Sequence, residues 1–124
     1  MMEKIFLYED ITEKIIRCFY NVYDELGSGF LESVYEKALM IELESIGLRA
    51  DNQKNLNVSY KNHLVGEFKT DIMVEDKIII EIKAVANLIS QHEAQLINYL
   101  KATGIKVGLL VNFGDNLEFK RRIF

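Results

Sequence analysis

Residues 78–84 read Ile-Ile-Ile-Glu-Ile-Lys-Ala, and no other segment constrains the fold as strongly. The run has the length of a strand, and its first three residues are too apolar for a sheet edge. It is therefore expected at the centre of a sheet covered on both faces. Glu81 and Lys83 are two apart, so in a strand they point to the same side.

The chain before this run supplies its partner. Leu64 to Val74 reads as a strand, and Glu75-Asp76-Lys77 is a short polar turn. With those three residues as the turn, Val74 pairs with Ile78. Counting outward from that pair, Asp71 falls opposite Glu81, and opposed side chains share a face with Cβ atoms about 5 Å apart. The hairpin thus aims two carboxylates and one ammonium at a single point. Two carboxylates that close repel one another unless a cation or a proton lies between them. Mg²⁺ suits such a site, because it takes oxygen ligands and keeps several waters. Bound there, it would activate a water and neutralise phosphate charge. The lysine would position that water or offset developing negative charge. Taken alone, D-x(9)-E-x-K is a loose pattern, read equally well as a salt-bridged surface lysine beside an acidic pair.

The remaining elements follow from periodicity. Ile11, Ile15, Phe19, Val22 and Leu26 form one apolar stripe, which predicts a first helix from about Ile11 to Leu26, capped by Asp10 or Thr12. Gly27-Ser28-Gly29 breaks it. A second helix is expected from Leu31 to Ser45, with Leu31, Val34, Ala38 and Leu39 inward and Gly47 as its stop. From Gln53 the period changes to two, giving a strand that ends at a turn at Asn62-His63. A third helix over Ser90 to Ala102, with Leu96, Ile97 and Leu100 inward, ends at Thr103-Gly104. Buried strand Val107 to Asn112 and edge strand Leu117 to Ile123 close the order ααβββαββ. The expected class is α/β, with one mixed sheet flanked by helices.

With 124 residues, 49% hydrophobic and 27% charged, the chain suits a single domain over 1–124. Its net charge of −4 argues against holding nucleic acid mainly by a basic surface, although Lys120, Arg121 and Arg122 cluster near its end. Metal-binding carboxylates are themselves acidic, so a nuclease remains compatible. Cys18 is the only cysteine, which rules out an intrachain disulfide and a cysteine zinc cluster; it reads as a small buried residue. His63 and His92 have no zinc spacing. No apolar run approaches the ~20 residues that span a bilayer. Met1 to Asp10 does not read as a signal peptide, so a cytoplasmic protein with no membrane association is expected.

The hairpin from Phe68 to Val74 and from Ile78 to Lys83 resembles that of the PD-(D/E)xK nuclease superfamily, with Thr70 in place of the proline. Gly29-Phe30-Leu31-Glu32-Ser33-Val34-Tyr35 matches the motif of the small GxxExxY proteins within it. Gln95 and Tyr99, four apart and so on one helix face, resemble the QxxxY element of RecB-type members, with Gln91 one turn back. By themselves these three are a polar helix surface. Likewise, Glu32 alone is a carboxylate favoured by the first turn of a helix.

The resemblance spans about Ile11 to Phe124. It implies a restriction-endonuclease-like αβββαβ core and a metal-dependent phosphodiesterase acting on nucleic acid, DNA above all. Asp71, Glu81 and Glu32 would hold Mg²⁺ or Mn²⁺. Lys83 would act in catalysis with these three, and Gln95, Tyr99, Tyr35 and Gln91 would support them. The alternative is a non-catalytic nucleic-acid- or protein-binding regulatory domain on the same fold. The four charged residues are all present, where degenerate members lose one. A homodimer, or a protein partner required for activity, is left open.

Overall fold

The computed structural model describes residues 7–124, so residues 1–6 of the Met1–Asp10 stretch lie outside the described residues. Among the described residues, three helices and five strands follow in the expected order. They are α1 (Glu9–Leu26), α2 (Glu32–Ser45), β1 (Ala50–Tyr60), β2 (His63–Val74), β3 (Ile78–Lys83), α3 (Ser90–Thr103), β4 (Val107–Phe113) and β5 (Leu117–Ile123). The strands form one mixed sheet whose spatial order is the chain order, β1-β2-β3-β4-β5. Only β3 and β4 run parallel; α3 is their crossover, and the other pairs are antiparallel.

β3 is central, as its apolar run requires, with Ile78 to Ile82 all buried. Its alternate residues serve two cores. Ile78, Ile80 and Ile82 join Ile72 and Val74 of β2 and Leu109 and Val111 of β4 beneath α1 and α2. Ile79 joins Met73 and Leu110 beneath Leu96 and Leu100 of α3. The sheet is therefore the middle of three layers. Gly108 on β4 lets α3 approach: a Cβ there would lie 2.6 Å from Leu96 Cδ1.

The termini of the helices depart from expectation. α1 begins after Tyr8, which has left-handed angles (φ 56°) and no capping side chain. Asp10 and Thr12 lie inside the helix instead, and Thr12 turns its hydroxyl back onto the Glu9 carbonyl at 2.8 Å. In α2 the buried stripe is Tyr35, Leu39 and Leu43. Leu31 precedes the helix and is 77% exposed, and Val34 is also exposed. The stripe begins one turn later than expected because an aromatic with a hydroxyl, Tyr35, faces the core. The β1–β2 turn falls on Lys61 and Asn62, both at positive φ, and His63 already belongs to β2. Gly47 and Gly104 have the left-handed angles expected after their helices. Among the described residues no helix is long and apolar enough to cross a membrane.

Candidate functional site

The hairpin of β2 and β3 closes on the anticipated turn, with Lys77 N–H donating to the Val74 carbonyl at 2.9 Å. Its ladder runs through Val74–Ile78, Met73–Ile79 and Ile72–Ile80, and stops. β3 continues alongside β4 as far as the pair Lys83–Asn112, whereas β2 continues alongside β1. The sheet therefore forks one step before Asp71 and Glu81.

At the fork, side chains replace the missing ladder bonds. Ile82 N–H donates to Asp71 Oδ2 at 2.7 Å. Thr70 donates its hydroxyl to Glu81 Oε1 at 3.0 Å. Glu81 is only 6% exposed. Burial, then the negative charge of Asp71, pushes its carboxyl up to about 8, against the pull of the Thr70 hydroxyl and the Lys83 ammonium. The phenol of Tyr99 is raised by burial and by the charges of Glu81 and Asp71, which puts it in the field of the same pair. Gln95 donates to the Tyr99 hydroxyl at 2.8 Å. The Tyr99 ring stacks on Phe68 of β2, centroids 3.9 Å apart and planes 14° apart. Asp71, Glu81, Lys83, Gln95 and Tyr99 thus form one neighbourhood on the α3 side of the sheet.

The other expected members lie elsewhere. Gln91 is exposed and accepts a hydrogen bond from Ser90 at 3.3 Å. Glu32 is exposed in the first turn of α2, in the layer on the opposite face of the sheet, and no hydrogen bond or ion pair ties it to Asp71, Glu81 or Lys83. Among the described residues no group of three His, Cys, Asp or Glu is close enough to hold a metal ion, so the carboxylates at the fork are a pair. The hydroxyl of Tyr35 donates to the Gly27 carbonyl at 2.6 Å and accepts from Phe30 N–H at 3.3 Å. Its ring stacks on Phe113 at 4.4 Å. Tyr35 therefore secures the loop before α2 instead of supporting the carboxylates. His92 Nδ1 accepts from Ile89 N–H at 3.2 Å, at the start of α3.

Sequence reasoning missed three contributors. Thr70 holds Glu81 and Phe68 holds Tyr99, and neither pairing has a local sequence signal. Asn112 is the third, and it had one: it is a lone amide in an otherwise apolar strand. Fully buried, it accepts from Val85 N–H at 3.0 Å and donates to the Val85 carbonyl at 2.9 Å, which ties down the segment just after Lys83.

The donor set fits a small divalent cation. Both carboxylates offer hard oxygens, and each has one oxygen tied while Asp71 Oδ1 and Glu81 Oε2 take no side-chain donor among the described residues. Burial of Glu81, then the negative charge of Asp71, favours the protonated form of its carboxyl.

Comparison with known proteins agrees with the fold. A family model described as the PD-(D/E)XK nuclease superfamily matches residues 9–123. A solved structure described as the crystal structure of SSO0001 superposes with a TM-score of 0.57 at 18% sequence identity, covering 98% of this chain and 61% of that one. The chain thus spans less than two thirds of that structure's length. No curated protein matches the chain.

Proposed function

The chain belongs to the PD-(D/E)XK nuclease superfamily, and we propose that it hydrolyses phosphodiester bonds in nucleic acid, with DNA as the expected substrate. The observation that carries this reading is the fork: a carboxylate pair, half-buried Asp71 and buried Glu81, with Lys83 next along the same face of β3. Asp71 and Glu81 would hold Mg²⁺ or Mn²⁺, with waters in the remaining positions, and Glu32 would join them as a third ligand only after the start of α2 moves towards the fork. When bound, the ion supplies charge neutralisation and an acidified water.

The chain's own residues do the rest. Thr70 and the Ile82 N–H fix the orientation of the two carboxylates. Lys83 offsets the charge that develops on the phosphate oxygens, and orients the attacking water. Tyr99, braced by Phe68 and Gln95, presents its hydroxyl beside the carboxylates, where it can donate to a phosphate oxygen. Gln91 would extend that polar face. The whole 1–124 stretch is proposed to act as one domain, in the cytoplasm, alone or with a partner.

Purified protein should cleave at least one member of a panel of single-stranded, double-stranded, branched and RNA substrates with Mg²⁺ or Mn²⁺. Lys83→Ala should lose about 10²–10³ in rate while keeping its circular dichroism spectrum and its response to metal, because ammonium is not a ligand. Equal cleavage by wild type and Lys83→Ala would assign the activity to another site. Absence of cleavage with every metal, alone and with candidate partners, would favour a non-catalytic binding domain. The lack of contact between Glu32 and the carboxylate pair is the observation on that side.

A further inference from the structure

We infer that the cleft beyond the carboxyl ends of β3 and β4 is a subsite for one unpaired nucleobase, which makes single-stranded or locally opened nucleic acid the preferred substrate. This inference rests on the nuclease reading above. The cleft encloses about 400 Å³, within the ~300–1,000 Å³ of small-ligand sites. Its walls include Phe30, Leu31, Ala84, Val85, Phe113 and Asp115.

Position is the first support. Ala84 and Phe113 directly follow Lys83 and Asn112, the last registered pair of the parallel strands. Parallel strands commonly present ligands at their carboxyl ends. Lys83 faces the α3 side and the cleft opens at the strand ends on the α1–α2 side, so a strand whose phosphate lies at Lys83 would pass around the end of β3 to place a neighbouring base in the cleft.

Chemistry is the second support. Phe30 is 45% exposed and meets Tyr35 edge-on, with planes 80° apart, so part of its ring is open to a planar partner. Among the described residues, the one charged lining residue is Asp115, an acid, which repels phosphate and accepts hydrogen bonds from the N–H groups of a neutral base. The whole chain carries a net charge of −4, which weakens binding driven by phosphates alone and leaves base contacts a larger share.

Rigidity is the third. Asn112 holds Val85 from both sides, and the Tyr23 hydroxyl donates to the carbonyls of Gly114 and Asp115 at 2.7 and 3.0 Å. Tyr35 ties the opposite wall through Gly27 and Phe30. The cleft is formed before any ligand arrives, so little ordering is required on binding. A base inside a duplex would first have to leave its stack. The cleft also accounts for the Gly29-Phe30-Leu31 segment, whose two large side chains are exposed and play no part in the core.

The experiment is an abasic scan. Single-stranded DNA carrying one abasic nucleotide, moved position by position, is cleaved by the wild-type protein, and KM and kcat are measured for each. Loss of the base at one fixed offset from the cut should raise KM roughly tenfold. A fully paired duplex of the same sequence should be cut at least roughly tenfold more slowly. Phe30→Ala, which removes the platform, and Ala86→Trp, which fills the mouth, should flatten the scan; melting curves check that both variants fold. A flat scan on the wild type, or equal rates on duplex and single strand, would overturn the subsite while leaving the nuclease reading intact. If no substrate is cut, the same abasic scan is read as binding affinity, and a flat binding scan overturns the subsite. The wild-type scan decides the matter even if both variants unfold.

Discussion

Glu81 sits one strand away from Asp71 with almost no access to water, and burial with the Asp71 charge disfavours its ionised form. Two outcomes follow. Glu81→Gln keeps the size and the Thr70 contact but removes a charge, so the metal-free variant should melt several degrees higher at pH 9, where the wild-type carboxyl is ionised. About 1 kcal/mol moves a domain of this size by roughly 3–6 °C. Millimolar Mn²⁺ should raise the melting temperature of wild type by mass action, and should fail to do so for Glu81→Gln and Asp71→Asn. An unchanged wild-type melting curve would count against a metal site. Cys18 is a simpler case: burial, then Glu42, raises its thiol from 9.0 to about 11. The folded state therefore disfavours the thiolate, and the stability associated with the neutral thiol is full below pH 9 and lost as pH rises towards 11. Alkylation of native protein at pH 8 should be at least roughly tenfold slower than of unfolded protein. At this scale the turn and the pairing of Val74 with Ile78 were legible, but the pairing of Asp71 with Glu81 expected from them was not reached, because the ladder stops at Ile72–Ile80. The task of Tyr35 was not legible. Its spacing from Glu32 is that of one helix face, but its hydroxyl goes backward to a glycine carbonyl that only the folded loop brings near.

The elements themselves were legible to within three residues, because a strand of five buried residues and a helix with one apolar stripe each carry their period openly. Helix ends were less so. α1 starts on a left-handed Tyr8 with no side-chain cap, against the usual preference for Asp or Thr, and α2 starts its buried stripe at Tyr35. The fork between β2 and β3 was illegible for a different reason. The hydrophobic pattern tells which face a residue takes, but does not tell where one strand stops pairing and leaves with its other neighbour. The clamp on the far side of β3 is open to test. Asn112→Ala removes both hydrogen bonds between the fully buried amide and the part-buried N–H and C=O of Val85, and should cost about 1–3 kcal/mol in denaturant unfolding. A change below about 0.5 kcal/mol, the range of ordinary surface substitutions, would show that water or a shifted backbone replaces both bonds.

Across the whole molecule, stability is distributed unevenly. β3 and β4 are buried on both faces, whereas β1 and β2 run on as a two-stranded arm past Lys54 and Thr70, beyond any third strand. Its anchorage to the rest is Leu56 and Phe68 against α3. Amide hydrogens of residues 55–67 should therefore exchange well before those of Ile79, Ile80, Leu109 and Leu110; uniform protection would mean that the arm opens only with the whole. The chain-order sheet has one more consequence, which concerns time. Each strand pairs with the strand just before it, and the α3 crossover is the one long loop to be closed between neighbours. The sheet can thus be laid down progressively from β1 to β5, with modest loop-closure entropy at every step. The sequence contains no proline, so prolyl isomerisation cannot delay that progression. Refolding from denaturant should complete without a phase lasting tens of seconds.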